Sequence, residues 1–195
     1  MKKLFLLLFA VTFVMAVQAQ QQELPQQDSL PQQHTLPQQD GDYSYDRSFG
    51  LRLSLFKKYD FVTGSYKTFI SPQAALEFNA GFGNFRGYSD IVVRYFAVTT
   101  FSATAAYQYH IDLDITPGLK WFVGGGVLLF GSSSKYEYYS GMGLGLFGNG
   151  GFDYKFKNLP LNLSLDARPT VNLIKPELFS RFTLHNIGLA ARYTF

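Results

Sequence analysis

Near the C-terminal end, Glu177, Ser180 and His185 place a carboxylate, a hydroxyl and an imidazole within one short stretch. A hydrolase uses that set when the hydroxyl contacts the imidazole and the imidazole contacts the acid. In an extended chain Ser180 and His185 point to opposite faces, so the contact requires an irregular backbone between them. Gly143, Gly145 and Gly148 match G-x-G-x-x-G, but the strand-to-helix setting and the downstream acid of a dinucleotide site are missing. Those glycines recur at period two beside apolar residues and read as small inward positions of a strand. Asp112 and Asp114 open like a calcium loop that has no Glu at its twelfth position, and read as a turn. His34 stands alone and the chain has no Cys, which leaves no cysteine nucleophile, thiolate metal site or disulfide. No catalytic residue, cofactor or metal is expected, and the chain reads as a non-enzyme.

The second constellation is a set of ionised residues spaced among apolar ones: Arg52, Glu77, Lys120, Asp153, Lys155, Asp166, Arg168 and Arg192. From Leu159 to Leu173 the chain reads L-P-L-N-L-S-L-D-A-R-P-T-V-N-L. Leu161, Leu163, Leu165, Ala167, Val171 and Leu173 share one parity, and Asn162, Ser164, Asp166, Arg168, Thr170 and Asn172 share the other. A strand sends the two sets to opposite faces. A soluble half-buried strand and a membrane-barrel strand both alternate this way, so the decision lies in whether the pattern recurs with aromatic ends.

It does recur. Strands are predicted over about 47–56, 60–70, 73–85, 95–111, 117–130, 140–156, 159–173 and 181–195, with no amphipathic helix between them. Phe49, Leu51, Leu53 and Leu55 oppose Arg52. Leu76, Phe78 and Phe82 oppose Glu77 and Asn79, and Leu144, Leu146, Phe152 and Tyr154 oppose Asp153 and Lys155. The faces of 60–70 cannot be assigned. Phe182 and Leu184 break the parity of Ile187 and Leu189, which predicts a bulge near His185 and Asn186. The turns at Ser71–Pro72, 112–117 and 157–160 are short, while 84–94 and 131–139 read as longer loops on the opposite side. Tyr107, Tyr109, Trp121, Tyr154, Phe156, Tyr193 and Phe195 form one aromatic girdle, and Tyr88, Tyr95, Phe96, Phe130, Tyr136, Tyr138 and Tyr139 a second. The expected fold is all-β: an eight-stranded antiparallel up-and-down transmembrane β-barrel. Its bore is wide enough only for side chains, so Glu77, Asp153 and Asp166 are expected to meet the Arg and Lys residues as a plug. The alternative is a small channel, with the glycine-rich inner faces at Gly124 and Gly126 leaving a narrow water path.

Around this core, Lys2 and Lys3, an apolar run from Leu4 to Val17 and Ala19 make residues 1–19 a cleaved secretory signal peptide. Residues 20–45 hold the repeat E-L-P-Q-Q-D, S-L-P-Q-Q-H, T-L-P-Q-Q-D from Glu23. This is a disordered tether reaching up to roughly 55 Å, either a docking arm for a periplasmic or cell-wall partner or a plain spacer. The barrel occupies 46–195. The 17 basic and 14 acidic residues fall to 15 against 14 without Lys2 and Lys3, and no basic cluster of the kind that binds nucleic acid is present.

The chain ends in A-R-Y-T-F, with Tyr193 and Phe195 on one face. With the L-P-L-N-L-S-L-D-A-R-P-T-V-N-L stretch and Trp121-Phe-Val-Gly-Gly-Gly-Val127, this resembles the small porin-like, OmpA/OmpX-type eight-stranded outer-membrane barrels of Bacteroidota type. The resemblance covers the barrel and not the repeat, and it lacks a C-terminal peptidoglycan-binding domain. It implies a Gram-negative outer-membrane location, contact with outer-membrane lipid, and recognition of Tyr193 and Phe195 by the barrel-insertion machinery. The resemblance gives location and fold more than function, and the expected role is structural or one of surface interaction through the Tyr-rich loops. Some barrels of this size modify lipid A, but the His-x-Ser-Asn pattern of the deacylase type is absent.

Overall fold

The computed structural model describes residues 43–55, 59–89, 94–135, 137–177 and 179–195, with backbone alone for 87–89 and 94–96. The segments read as signal peptide and as repeat tail up to residue 42 lie outside the described residues, as do Phe56, Tyr136 and the side chains of Tyr88, Tyr95 and Phe96.

The strands are β1 (Arg47–Ser54), β2 (Val62–Phe69), β3 (Ala74–Ser89), β4 (Arg94–Asp112), β5 (Leu119–Ser134), β6 (Gly141–Lys155), β7 (Leu161–Ala167), β8 (Thr170–Ile174), β9 (Phe182–Thr183) and β10 (Ile187–Thr194). All pairings are antiparallel. β7 and β8 both pair with β6, and β10 and β9 pair with them in turn. Each of these two pairs is therefore one bent stave. β1 joins β10 from Ser48↔Thr194 to Ser54↔Gly188, which closes an up-and-down barrel of eight staves. No helix among the described residues is long and apolar enough to cross a membrane, which bears only on helical spans.

Two irregularities shape the last two staves. Pro169 interrupts the ladder where its missing N–H is not needed, and its carbonyl still accepts from Gly148 N at 3.0 Å. Parity survives the break, so Asp166, Arg168, Thr170 and Asn172 all face inward and are buried. In the final stave Leu184 and His185 are both exposed and Asn186 is buried. That is the expected bulge, and it turns Asn186 into the bore.

Alternation governs the wall. Leu51 is 56% exposed while its neighbour Arg52 is fully buried, and β10 alternates exposed and buried over its whole length. Where side chains are described, the outward strand positions hold only two ionised residues, Arg47 and Arg86, at opposite ends of the barrel. The inward glycines serve curvature. A Cβ on Gly50, Gly124 or Gly151 would meet the main chain of the adjacent strand at Ala191, Tyr107 and Leu165 respectively. At Gly126 the Phe147 ring also approaches, 2.8 Å from where a Cβ would sit.

The expected long loops are corrected. β3 continues to Ser89, β4 resumes at Arg94 and β5 runs to Ser134, so the residues read as loop extend the sheet beyond its neighbours instead. Ladder partners such as Asn84↔Thr99 and Phe101↔Gly131 continue through them.

Candidate functional site

The inward side chains form three layers. At the end where the described chain begins at Tyr43 and ends at Phe195, Asp153 of β6 accepts from Lys67 Nζ of β2 at 3.3 Å, Asn162 Nδ2 at 2.8 Å and Tyr45 Oη at 2.9 Å. His110 Nε2 lies 3.6 Å from the same carboxylate. Phe122 lies against this group, 5.0 Å from Lys67 Nζ and 5.2 Å from the His110 ring. Tyr45 stands just before β1, where the strap from Tyr43 crosses the opening, and its ring meets Phe69 edge-on at 5.1 Å. Burial, with the charge of Asp153, holds its phenol well above the usual tyrosine range. The residues from Tyr43 thus pack with the barrel, although the sequence reading assigned them to the tail. Gly118, at φ +85°, turns the β4–β5 connector beneath this strap, where a Cβ would meet both Tyr43 and the Lys155 carbonyl.

The middle layer is a chain of ion pairs. Arg52 donates through Nε and Nη2 to Asp166 at 2.9 and 2.7 Å, a two-point contact that fixes the guanidinium plane. Asp166 also accepts from Arg168 Nε at 2.9 Å, and Arg168 Nη2 reaches Glu77 at 2.6 Å. Glu77 is further held by Gln108 at 2.6 Å, Asn79 at 2.9 Å and Arg192 Nη2 at 3.2 Å. Arg192 donates to Ser65 at 2.8 Å and Ser164 at 2.6 Å. Unpaired, any of these charges would cost several kcal/mol, and the shared contacts explain how they coexist in so narrow a space.

Beyond them, Asp60 of the β1–β2 turn reaches down to Arg52 Nη1 at 2.7 Å and accepts from Asn186 Nδ2 at 3.2 Å. Burial pushes the Asp60 carboxyl up from the usual range, while the Arg52 and Arg168 guanidiniums pull it back. The far layer is apolar: Tyr59, Val98, Leu128, Phe130, Phe147 and Phe179 cluster, with Phe85 and Tyr139 against them. Tyr59 accepts from Asn172 Nδ2 at 2.7 Å and meets the Phe130 ring at 4.9 Å. A cavity of about 10 Å³ separates this layer from the ion pairs, the lower limit for a single water.

Six of the eight ionised residues singled out in the sequence lie in these contacts: Arg52, Glu77, Asp153, Asp166, Arg168 and Arg192. The other two do not. Lys120 sits at the rim, 18% exposed, and pairs with Asp112 at 3.3 Å. Lys155 donates to the carbonyls of Phe156 and Leu159 at 2.7 and 2.8 Å, bracing the β6–β7 turn. Sequence reasoning missed Lys67, Asp60 and Tyr45; alternation puts His110 on the inward face of its strand, where it is buried, but did not join it to these ion pairs. Phe130 and Tyr139, expected in an outer girdle, belong to the interior cluster; Phe130 is 1% exposed. Tyr193 and Phe195 are exposed, with rings 6.5 Å apart. Ser180, His185 and Glu177 are exposed and share no hydrogen bond or ion pair among the described residues.

No family model matches the sequence, and no curated protein does. Among solved structures, Neisserial surface protein A (NspA) is similar at 17% identity and a TM-score of 0.42, over 77% of this chain and 94% of that one.

Proposed function

We propose that this chain is an integral outer-membrane barrel of Gram-negative type, exported by a cleaved signal peptide, whose role is structural or one of surface interaction. One observation carries the reading. The outward face is apolar from Arg47 at one end to Arg86 at the other, while five Arg and Lys and four Asp and Glu side chains are buried inside. Water favours the reverse arrangement, and hydrocarbon favours this one. The aromatic residues Tyr107, Tyr109, Trp121, Tyr193 and Phe195 gather toward the end with the termini, as interfacial rings do.

Within this reading the bore is a plug of ion pairs and rings and not a solute path, and the protein is not an enzyme. Tyr193 and Phe195 are the signal for the insertion machinery, lipid is the main partner, and the repeat tail extends into the periplasm toward a protein or cell-wall partner. The test is fractionation of expressing cells followed by planar-bilayer recording of the purified protein. Recovery from the outer membrane as a heat-modifiable band, with a silent bilayer, is the expected result. Recovery as a soluble protein would overturn the location, and steady openings of the wild-type chain would overturn the plug.

A further inference from the structure

The contact between Asp60 and the wall has an asymmetry that points to a ligand site. The donors that hold Asp60 are fixed by residues other than Asp60. Asp166 takes Arg52 Nε and Nη2 and leaves Nη1 aimed at the β1–β2 turn. Ser54 donates to Asn186 Oδ1 at 2.7 Å, which directs the amide nitrogen toward Asp60. The bulge at Leu184 and His185 is what turns Asn186 inward. Arg52 Nη1 meets Asp60 Oδ2, and Asn186 Nδ2 meets Oδ1 at 3.2 Å and Oδ2 at 3.4 Å, so both oxygens of the carboxylate are engaged.

Charge favours the same conclusion. Among the described residues the buried ion-pair network of the wall holds Arg52, Lys67, Arg168 and Arg192 against Glu77, Asp153 and Asp166, so without Asp60 it carries one excess positive charge. Arg168 Nη1 is buried and donates no hydrogen bond among the described residues, and Arg168 lines the small cavity together with Asp60 and Asn186.

We propose that Arg52 and Asn186 form a carboxylate-binding site in the barrel wall, which the β1–β2 turn fills with its own Asp60 and which a small free carboxylate takes when that side chain is absent.

The full-length chain, folded in detergent micelles at neutral pH, tests this with acetate as the probe. Asp60→Ala removes the carboxylate and leaves Arg52, Ser54 and Asn186 in place. Sodium acetate should raise its thermal unfolding midpoint toward that of the wild type, saturably, relative to sodium chloride at equal ionic strength. The wild type and Asp60→Asn, whose sites stay filled, should not respond, and Asp60→Ala combined with Asn186→Ala should lose the response. An equal response in Asp60→Asn, or none in Asp60→Ala, overturns the proposal. If Asp60→Ala does not fold in chloride, folding yield is the readout: recovery in acetate supports the site, and equal failure in both salts overturns it.

Discussion

Arg52 of β1 and Asp166 of β7 meet over Gly188 of the stave between them, 114 positions apart in the chain, through two hydrogen bonds of 2.9 and 2.7 Å. Both side chains are buried, so each is the other's substitute for water. Arg52→Met should cost about 3–5 kcal/mol, because it leaves Asp60 and Asp166 short of a partner in a dry space. Arg52→Met with Asp166→Leu should cost less than the sum of the two single changes by about 1–3 kcal/mol. Urea unfolding from lipid vesicles measures both, and strict additivity would show that the pair is not coupled.

Inward and outward glycines should respond differently to the same added methyl. At Gly124 a Cβ would run into the main chain at Tyr107, whereas at Gly64 and Gly150 the nearest atoms are carbonyl oxygens at 3.7 and 3.6 Å, ordinary contact distances. Gly124→Ala should therefore lower stability by about 1–3 kcal/mol or block folding, with Gly64→Ala and Gly150→Ala near neutral. The yield of the heat-modifiable folded band is a sufficient readout.

The contrast between strands explains how far the sequence could be read. Where one parity is Leu, Phe and Val and the other Asn, Asp and Arg, as in β7, the faces follow from polarity alone. β2 offers Val62, Gly64, Tyr66 and Thr68 outward against Thr63, Ser65 and Lys67 inward, and two faces of such similar polarity hide the buried Lys67. The far end of the bore was obscured for the opposite reason. Leu128, Phe130 and Phe147 are apolar on the inward parity, so V-L-L-F at 127–130 gives no alternation at all. Asp60 was missed because it lies on a turn, where period-two reasoning does not apply. Its partner Asn186 faces inward only through the bulge.

Tyr45 should reveal itself by pH. Its phenol donates to Asp153, and a hydrogen bond to a charged group contributes about 1.5–3 kcal/mol, so Tyr45→Phe should destabilise by up to that amount at neutral pH. The folded protein holds this phenol well above its usual range, so its contribution is complete below the unfolded tyrosine value and is lost as pH rises through the folded one. The stability gap between wild type and Tyr45→Phe should narrow above pH of about 10, by up to roughly 1.4 kcal/mol per unit. A constant gap would place Tyr45 outside the bore.

A charge on the outer face tests the lipid contact directly. Val127 faces outward near the middle of β5, and in a bilayer Val127→Arg should cost about 2–4 kcal/mol. In water an exposed Val-to-Arg change is close to neutral, so unfolding from vesicles by denaturant separates a lipid-facing wall from a wetted one.

The last residue distinguishes a signal from a strut. Phe195 is exposed beside Tyr193, and its backbone pairs with Arg47 at 3.0 and 3.1 Å, so truncating its side chain removes little buried surface and leaves the closing ladder intact. Phe195→Ala should therefore refold from urea into detergent with nearly wild-type yield and stability, within about 0.5 kcal/mol. If, as proposed, the insertion machinery reads the aromatic end of the strand and not the stability of the finished barrel, the same variant should accumulate unassembled in cells. Equal loss in both assays would assign Phe195 to barrel closure, and equal retention in both would remove it from assembly altogether.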